Sequence, residues 1–228
     1  MTGGGERKRV HDMGGEADGP VLPEDQSALV FSAPWHGRAL AITLLAAAHG
    51  KWNLDASRHA RETLPAEDYR RFSYYEKWMA GLANLLVRHD LVTADDLLGW
   101  EEVVLNPLKD TALRADQVAA VLAKGGPTRR RAEKTPRFSP GDRVQAKTPD
   151  QTARVKDGHT RLPGYIAGKS GTVLLCHGSH VLPDSNAHFL GEAPEMLYAI
   201  EFSAADLWGR GAGERDSVIV DCWESYLE

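Results

Sequence analysis

The chain has 228 residues, is 42% hydrophobic and 26% charged, and carries a formal net charge of −5. That is room for one large or two small domains with a true hydrophobic core. Its mild acidity argues against a general nucleic-acid binder, which carries a basic face. The two cysteines, Cys176 and Cys222, stand far apart and in no metal-ligand spacing, so no disulfide framework is expected and a reducing cytoplasm is. The N-terminal MTGGGERKRVHDMGG has charge but no apolar stretch of the kind a signal peptide needs. The longest apolar run, ALAITLLAAA (39–48), is well short of the roughly 20 residues that span a bilayer, so no membrane association is expected.

Residues 1–34 are rich in Gly, Pro and charge and have no sustained period; they are expected as an extended N-terminal arm. A helical region, 35–124, follows. PWHGRALAITLLAAAHGKW predicts a helix stopped near Gly50, apolar over most of its circumference and therefore expected to be buried. NLDASRHARETLP predicts a short helix capped by Asn53 or Asp55 and ended before Pro65. SYYEKWMAGLANLLVRHD opens with the capping box Ser73–Glu76, and Trp78, Met79, Leu82, Leu85 and Leu86 form its core-facing stripe. TADDLLGWEEV starts another helix at Thr93, and RADQVAAVLAKGG one that Gly125 and Gly126 terminate.

Residues 125–137, GGPTRRRAEKTPR, read as a solvated linker, because the basic run has no neighbouring aromatics. Beyond it RFSPGDRVQAK, GKSGTVLLC, EMLYAIEF and DSVIVDCWESYL are short β-prone runs between Pro, Gly and Asp turns. Four or five strands in residues 138–228 predict a small SH3-like β-barrel. The fold class is thus a two-part α+β chain.

No complete catalytic constellation is visible. CHGSH holds Cys176, His177 and His180, but nothing local completes a set of three or four metal ligands, and loop histidines are the simpler reading. Asp95–Asp96 and Glu101–Glu102 are adjacent along exposed helix and form a solvated face. Neither a phosphate loop nor a nucleophile elbow occurs. Two arginines stand out: Arg58, with Glu62 in helical pairing reach, and Arg161, on the loop DGHTRLPGY that enters the barrel. By pattern alone a surface or Glu-paired arginine is the ordinary reading of each.

Taken in order, HDMGG (11–15), NLDASRHARE (53–62), YYEKW (74–78), GHTRLPGY (158–165) with GKSGTV, HG…PDSNAH (177–188), YAIEFSAADLWG (198–209) and VIVDCWESYLE (218–228) resemble the nitrile hydratase β-subunit family over nearly the whole chain. The resemblance implies an enzyme that hydrates nitriles to amides. Its metal, a non-corrin Co(III) or alternatively Fe(III), sits in a separate α subunit on cysteines oxidised to sulfenate and sulfinate, and none is bound by this chain alone. The arginines of the family that hold those oxygens match Arg58 and Arg161. By the same carry-over Tyr74, Trp78 and Leu54 line the nitrile pocket, and Glu62 and His159 orient the groups around it. Trp78 resembles the cobalt branch. Ser57 departs from a bulky aromatic usual in the family, which leaves the substrate range open, and Lys77 replaces a histidine common in the cobalt branch.

The partners so implied are the α subunit, as αβ or α2β2, a nitrile, and an activator protein during maturation. Two rivals are a thiocyanate hydrolase component and a metallochaperone. The first is typically split near the linker, and the second usually lacks the full barrel. A nucleic-acid-binding barrel is disfavoured by the acidic balance.

Overall fold

The structure, a computed structural model, describes residues 9–15, 23, 29–99, 112–209 and 215–228. It divides into two compact units, residues 16–126 and residues 1–15 with 127–228. Most of the expected arm, and Glu101–Glu102, lie outside the described residues.

The first unit is helical. Helix α1 spans Pro34–Ala47, with proline in the first turn where its missing N–H costs nothing. Helix α2, Leu54–Glu62, starts where the Asn53 side chain accepts the Ala56 N–H at 2.9 Å. Helix α3 spans Ala66–Arg71. Helix α4, Tyr74–Arg88, carries the Ser73–Glu76 capping box. Helix α5, Ala94–Leu98, is capped by Thr93, and α6, Ala115–Lys124, ends at Gly125 with φ 58°. The core of this unit is Trp52, Ala56, Ala60, Leu82 and Leu85, formed where α2 packs on α4.

Helix α1 departs from expectation. Only Ala39 and Thr43 are buried along it, while Ile42, Leu44 and Leu45 are exposed. An apolar circumference needs neighbours on several sides, and within its unit α1 has α4 as its principal partner.

The second unit is a four-stranded antiparallel sheet in the order β1-β2-β3-β4, from β1, Arg143–Gln145, β2, Ser170–His180, β3, Glu195–Ser203, and β4, Ser217–Trp223. It curls into a half-barrel. The C-terminal residues carry the curl back to the first strand: Ala146 bridges Leu227, and Gln145 and Glu228 exchange backbone hydrogen bonds at 2.8 and 3.0 Å. Short helices α7 (Pro149–Thr152), α8 (Pro183–Asn186) and α9 (Ala204–Trp208) fill the connections. Inward-facing Val144, Val173, Tyr198, Ile200, Phe202, Cys222 and Tyr226 make a continuous core.

The arginine run is tethered at its start, unlike the solvated linker expected from composition. The Arg130 N–H reaches the Ser179 carbonyl at 2.8 Å, the Val181 N–H reaches Thr128, and the Arg130 guanidinium grips Glu192 with two bonds of 2.6 Å. A free β2 edge attracts extended chain, and a forked ion pair fixes it there. Arg129 and Arg131 remain exposed.

Candidate functional site

On α2, the cap at Asn53 orients a turn in which Asp55 is buried and Leu54 is 55% exposed. The Arg58 Nη1 donates to Asp55 Oδ1 at 2.8 Å, not to Glu62. Both acids are helical neighbours of Arg58, so the periodicity cannot choose between them. Both carboxylates are largely buried, with side chains 7% and 14% exposed, so each needs a partner. Glu62 turns instead to His59, 3.6 Å away. The rest of the Arg58 fork has no partner among the described residues.

On α4, Tyr74 is 64% exposed and its ring lies 5.5 Å from that of Trp78, with Tyr75 6.0 Å away on the same turn. The Arg61 guanidinium sits 4.7 Å over the Trp78 ring, a cation–π contact worth about 0.5–2 kcal/mol. Burial lowers the pKa of Arg61, with nearby Tyr74 opposing. Gly81 makes the approach possible, because a Cβ there would meet Arg61 Cγ at 2.7 Å. Leu54, Arg58, Tyr74 and Trp78 thus lie on packed α2 and α4, and Arg61 joins them. Sequence reading passed over Arg61; its place one turn after Arg58 was the available signal. A shallow groove elsewhere on α4, lined by Thr63, Asn84, Val87, Arg88, Leu97 and Leu98, includes none of these residues.

In the sheet unit, His159 is 2% exposed and its backbone N–H donates to His188 Nε2 at 2.9 Å. Arg161 is exposed. Its backbone N–H donates to the Tyr226 hydroxyl at 3.1 Å, and its guanidinium has no hydrogen bond or ion pair among the described residues. A free fork of five donors at the surface is suited to an anion carrying paired oxygens.

Cys176, His177 and His180 fall within β2 and not in a loop, as CHGSH alone suggested. His177 Nε2 lies 3.0 Å from Asp221 Oδ1 on β4, and His180 pairs with the Thr128 hydroxyl at 3.1 Å. Among the described residues of either unit by itself, no three His, Cys, Asp or Glu ligand atoms converge.

Two family models meet end to end along the chain: the N-terminal part of the nitrile hydratase β subunit over residues 7–122 and its C-terminal part over residues 127–228. The chain belongs to the nitrile hydratase β-subunit family. The low-molecular-weight cobalt-containing nitrile hydratase subunit β of Rhodococcus rhodochrous is 32% identical over 96% of this chain and 97% of its own. The cobalt-containing subunit β of Pseudonocardia thermophila is 32% identical over 96% and 95%. The nitrile hydratase subunit β of Rhodococcus erythropolis is 27% identical over 96% and 97%. A solved apo-form of thiocyanate hydrolase from Thiobacillus thioparus shares 30% identity over 42% of this chain and 78% of that one, with a TM-score of 0.37.

The two cysteines of this chain do not fit a thiolate-held cobalt or iron. Cys176 and Cys222 both stand opposite Tyr198, on either side of it in the sheet. Two strand spacings separate their backbones by about 9–10 Å, too far for one metal's ligands on rigid strands or for a disulfide. Burial pushes the Cys222 thiol up to about 12, so it stays protonated and packs as an apolar group.

Proposed function

We propose that this chain is the β subunit of an enzyme that hydrates nitriles to amides, working with an α subunit that carries the metal. The observation that carries this reading is the family match across both halves, 7–122 and 127–228. Two relatives named as cobalt-containing favour cobalt over iron. A chain with no cysteine cluster needs a partner to supply the thiolates. The open apolar side of α1, at Ile42, Leu44 and Leu45, supports such a partner as well.

In this reading Arg58 and Arg161 each hold oxygens of the α subunit's oxidised cysteines. Asp55 anchors one corner of Arg58 and leaves the remaining donors for the partner. Arg161 offers its whole fork. Paired, charge-assisted bonds fix both distance and direction, which a lysine ammonium cannot do. Tyr74, Trp78 and Leu54 line the nitrile's approach, and Arg61 covers one face of Trp78. Glu62 and His159 orient the groups around them. Residues 1–34 serve as an arm, 35–124 as the helical domain, 125–137 as the linker and 138–228 as an SH3-like barrel, in a cytoplasmic αβ or α2β2 enzyme matured with an activator.

The test is to express the chain alone and with a nitrile hydratase α chain, cobalt supplied, and to measure metal and amide. The expected result is about one metal per heterodimer and amide formation only in the complex. Cobalt held by the lone chain, or no stable complex, contradicts this reading and points to the metallochaperone.

A further inference from the structure

Arg161 leaves the sheet unit from a segment, Gly158–Gly164, that makes no strand, yet every few atoms of its backbone are held by a residue far away in sequence. Arg9 donates to the Gly158 carbonyl. The His159 N–H goes to His188, and Asp12 Oδ2 accepts the Gly164 N–H at 3.0 Å. At the centre, the Tyr226 hydroxyl accepts the Arg161 N–H at 3.1 Å and the Thr160 hydroxyl at 3.3 Å. Thr160 Oγ1 in turn accepts the Leu162 N–H at 3.2 Å.

A phenol has one proton and two lone pairs. At Tyr226 the O–H donates to Asp184 Oδ2, so the lone pairs are left for the Thr160 hydroxyl and the Arg161 backbone N–H. Asp184, on α8, and Tyr226, in the turn after β4, are each 1% exposed. Burial pushes both groups above their ordinary values, and for Tyr226 the neighbouring Asp184 adds to the effect. A buried carboxyl is a poor way to gain stability, since an apolar side chain of similar size usually does as well or better. What it supplies is direction: with no acceptor behind it, the phenol O–H is free to rotate and the lone pairs have no fixed aim.

We propose that Asp184 and Tyr226 are positioning residues for Arg161. Asp184 accepts the phenol O–H hydrogen bond, Tyr226 thereby fixes the Thr160–Arg161 segment, and the direction in which the Arg161 side chain leaves the backbone is set before any partner arrives. This rests on the role given to Arg161 above. Such preorganisation lowers the ordering cost of each charge-assisted bond that the arginine makes.

The test is a double-mutant cycle in the assembled, cobalt-loaded αβ enzyme with propionitrile as probe. Tyr226→Phe keeps the ring and removes only the hydroxyl. It is expected to lower kcat about 10- to 100-fold, the range for a misaimed group, with KM moved less than about threefold. In an Arg161→Lys background the same change is expected to cost under about twofold, because residues that act as one unit are not additive. Asp184→Asn keeps an acceptor and is expected to stay within about fivefold of wild type, while Asp184→Leu falls with Tyr226→Phe. Wild-type kcat in Tyr226→Phe, or its full loss repeated on top of Arg161→Lys, overturns the proposal and leaves the arginine reading intact. Wild-type turnover in Arg161→Lys alone overturns both. Should Tyr226→Phe fail to assemble, the two Asp184 variants decide: equal activities overturn the proposal, and activity in Asn alone supports it.

Discussion

The two units solve the burial problem differently. The sheet unit closes on large side chains: Tyr198, Phe202, Ile200, Ile166, Leu182 and Tyr226 are all essentially inaccessible. The helical unit's buried cluster has two alanines among its five residues, and α1 leaves Ile42, Leu44 and Leu45 open. A buried leucine or phenylalanine is worth about 1.5–3 kcal/mol and an alanine well under that. The sheet unit is therefore the stable platform from which Arg161 projects. The helical unit leaves that side of α1 open, and in the proposed αβ enzyme a partner chain would cover it.

The most severe way to break this contrast is to overfill the sheet. A Cβ at Gly171 would lie 2.5 Å from Ile200 Cγ2 and 2.9 Å from the Glu201 carbonyl. Gly171→Ala is expected to destabilise the isolated chain by about 3 kcal/mol. Denaturant unfolding checks this, and an unchanged midpoint would mean the sheet is looser than its packing implies.

A smaller effect follows from Cys222. Its thiol is held near 12, by burial first and by Asp221 second, against an ordinary value of about 8.5 in the unfolded chain. A raised value means the folded state keeps a proton that the unfolded state loses. The contribution is fully present below pH 8.5 and is lost as pH climbs toward 12. The slope is at most about 1.4 kcal/mol per pH unit. Cys222→Ala is expected to flatten the stability curve between about pH 8.5 and 10, below the range where Tyr198 and Tyr226 titrate. Parallel curves for the two proteins would contradict the assigned burial.

The mildest change falls on the helical side. Leu44→Ser with Leu45→Ser touches side chains that are each 38% exposed, so the isolated chain is expected to lose only about 1–2 kcal/mol. Its affinity for the α chain, read by titration calorimetry, is expected to fall clearly. The opposite pattern, a destabilised monomer with unaltered assembly, would show that α1 is structural core.

How much of this was legible in the sequence depended on range. Caps and stops are local, so Asn53, the Ser73–Glu76 box, Thr93 and Gly125 could be read directly. Period-2 apolar runs located the strands, although β2 continues through His177 and His180 where a loop was expected. Long-range contacts left no local trace. Nothing in the linker's composition announces that Arg130 grips Glu192, 62 residues away. Asp184 and Tyr226 lie in motifs that carried the family resemblance, yet their joint hold on the Arg161 backbone spans more than 40 residues and has no period. Even within one helix, Arg58 had two largely buried acids in reach, and it is the His59 beside Glu62, not the spacing, that distinguishes them.

In the proposed enzyme this chain contributes guanidinium forks to a centre held by its partner. The direct test is the kcat of Arg161→Lys and Arg58→Lys in the assembled enzyme, with subunit ratio and cobalt content measured on the same samples. Each variant is expected to assemble and retain cobalt while losing on the order of a hundredfold or more in turnover, the scale for removing an aimed donor. Wild-type turnover in either variant would contradict the fork's role at that position, and in both it would contradict the account.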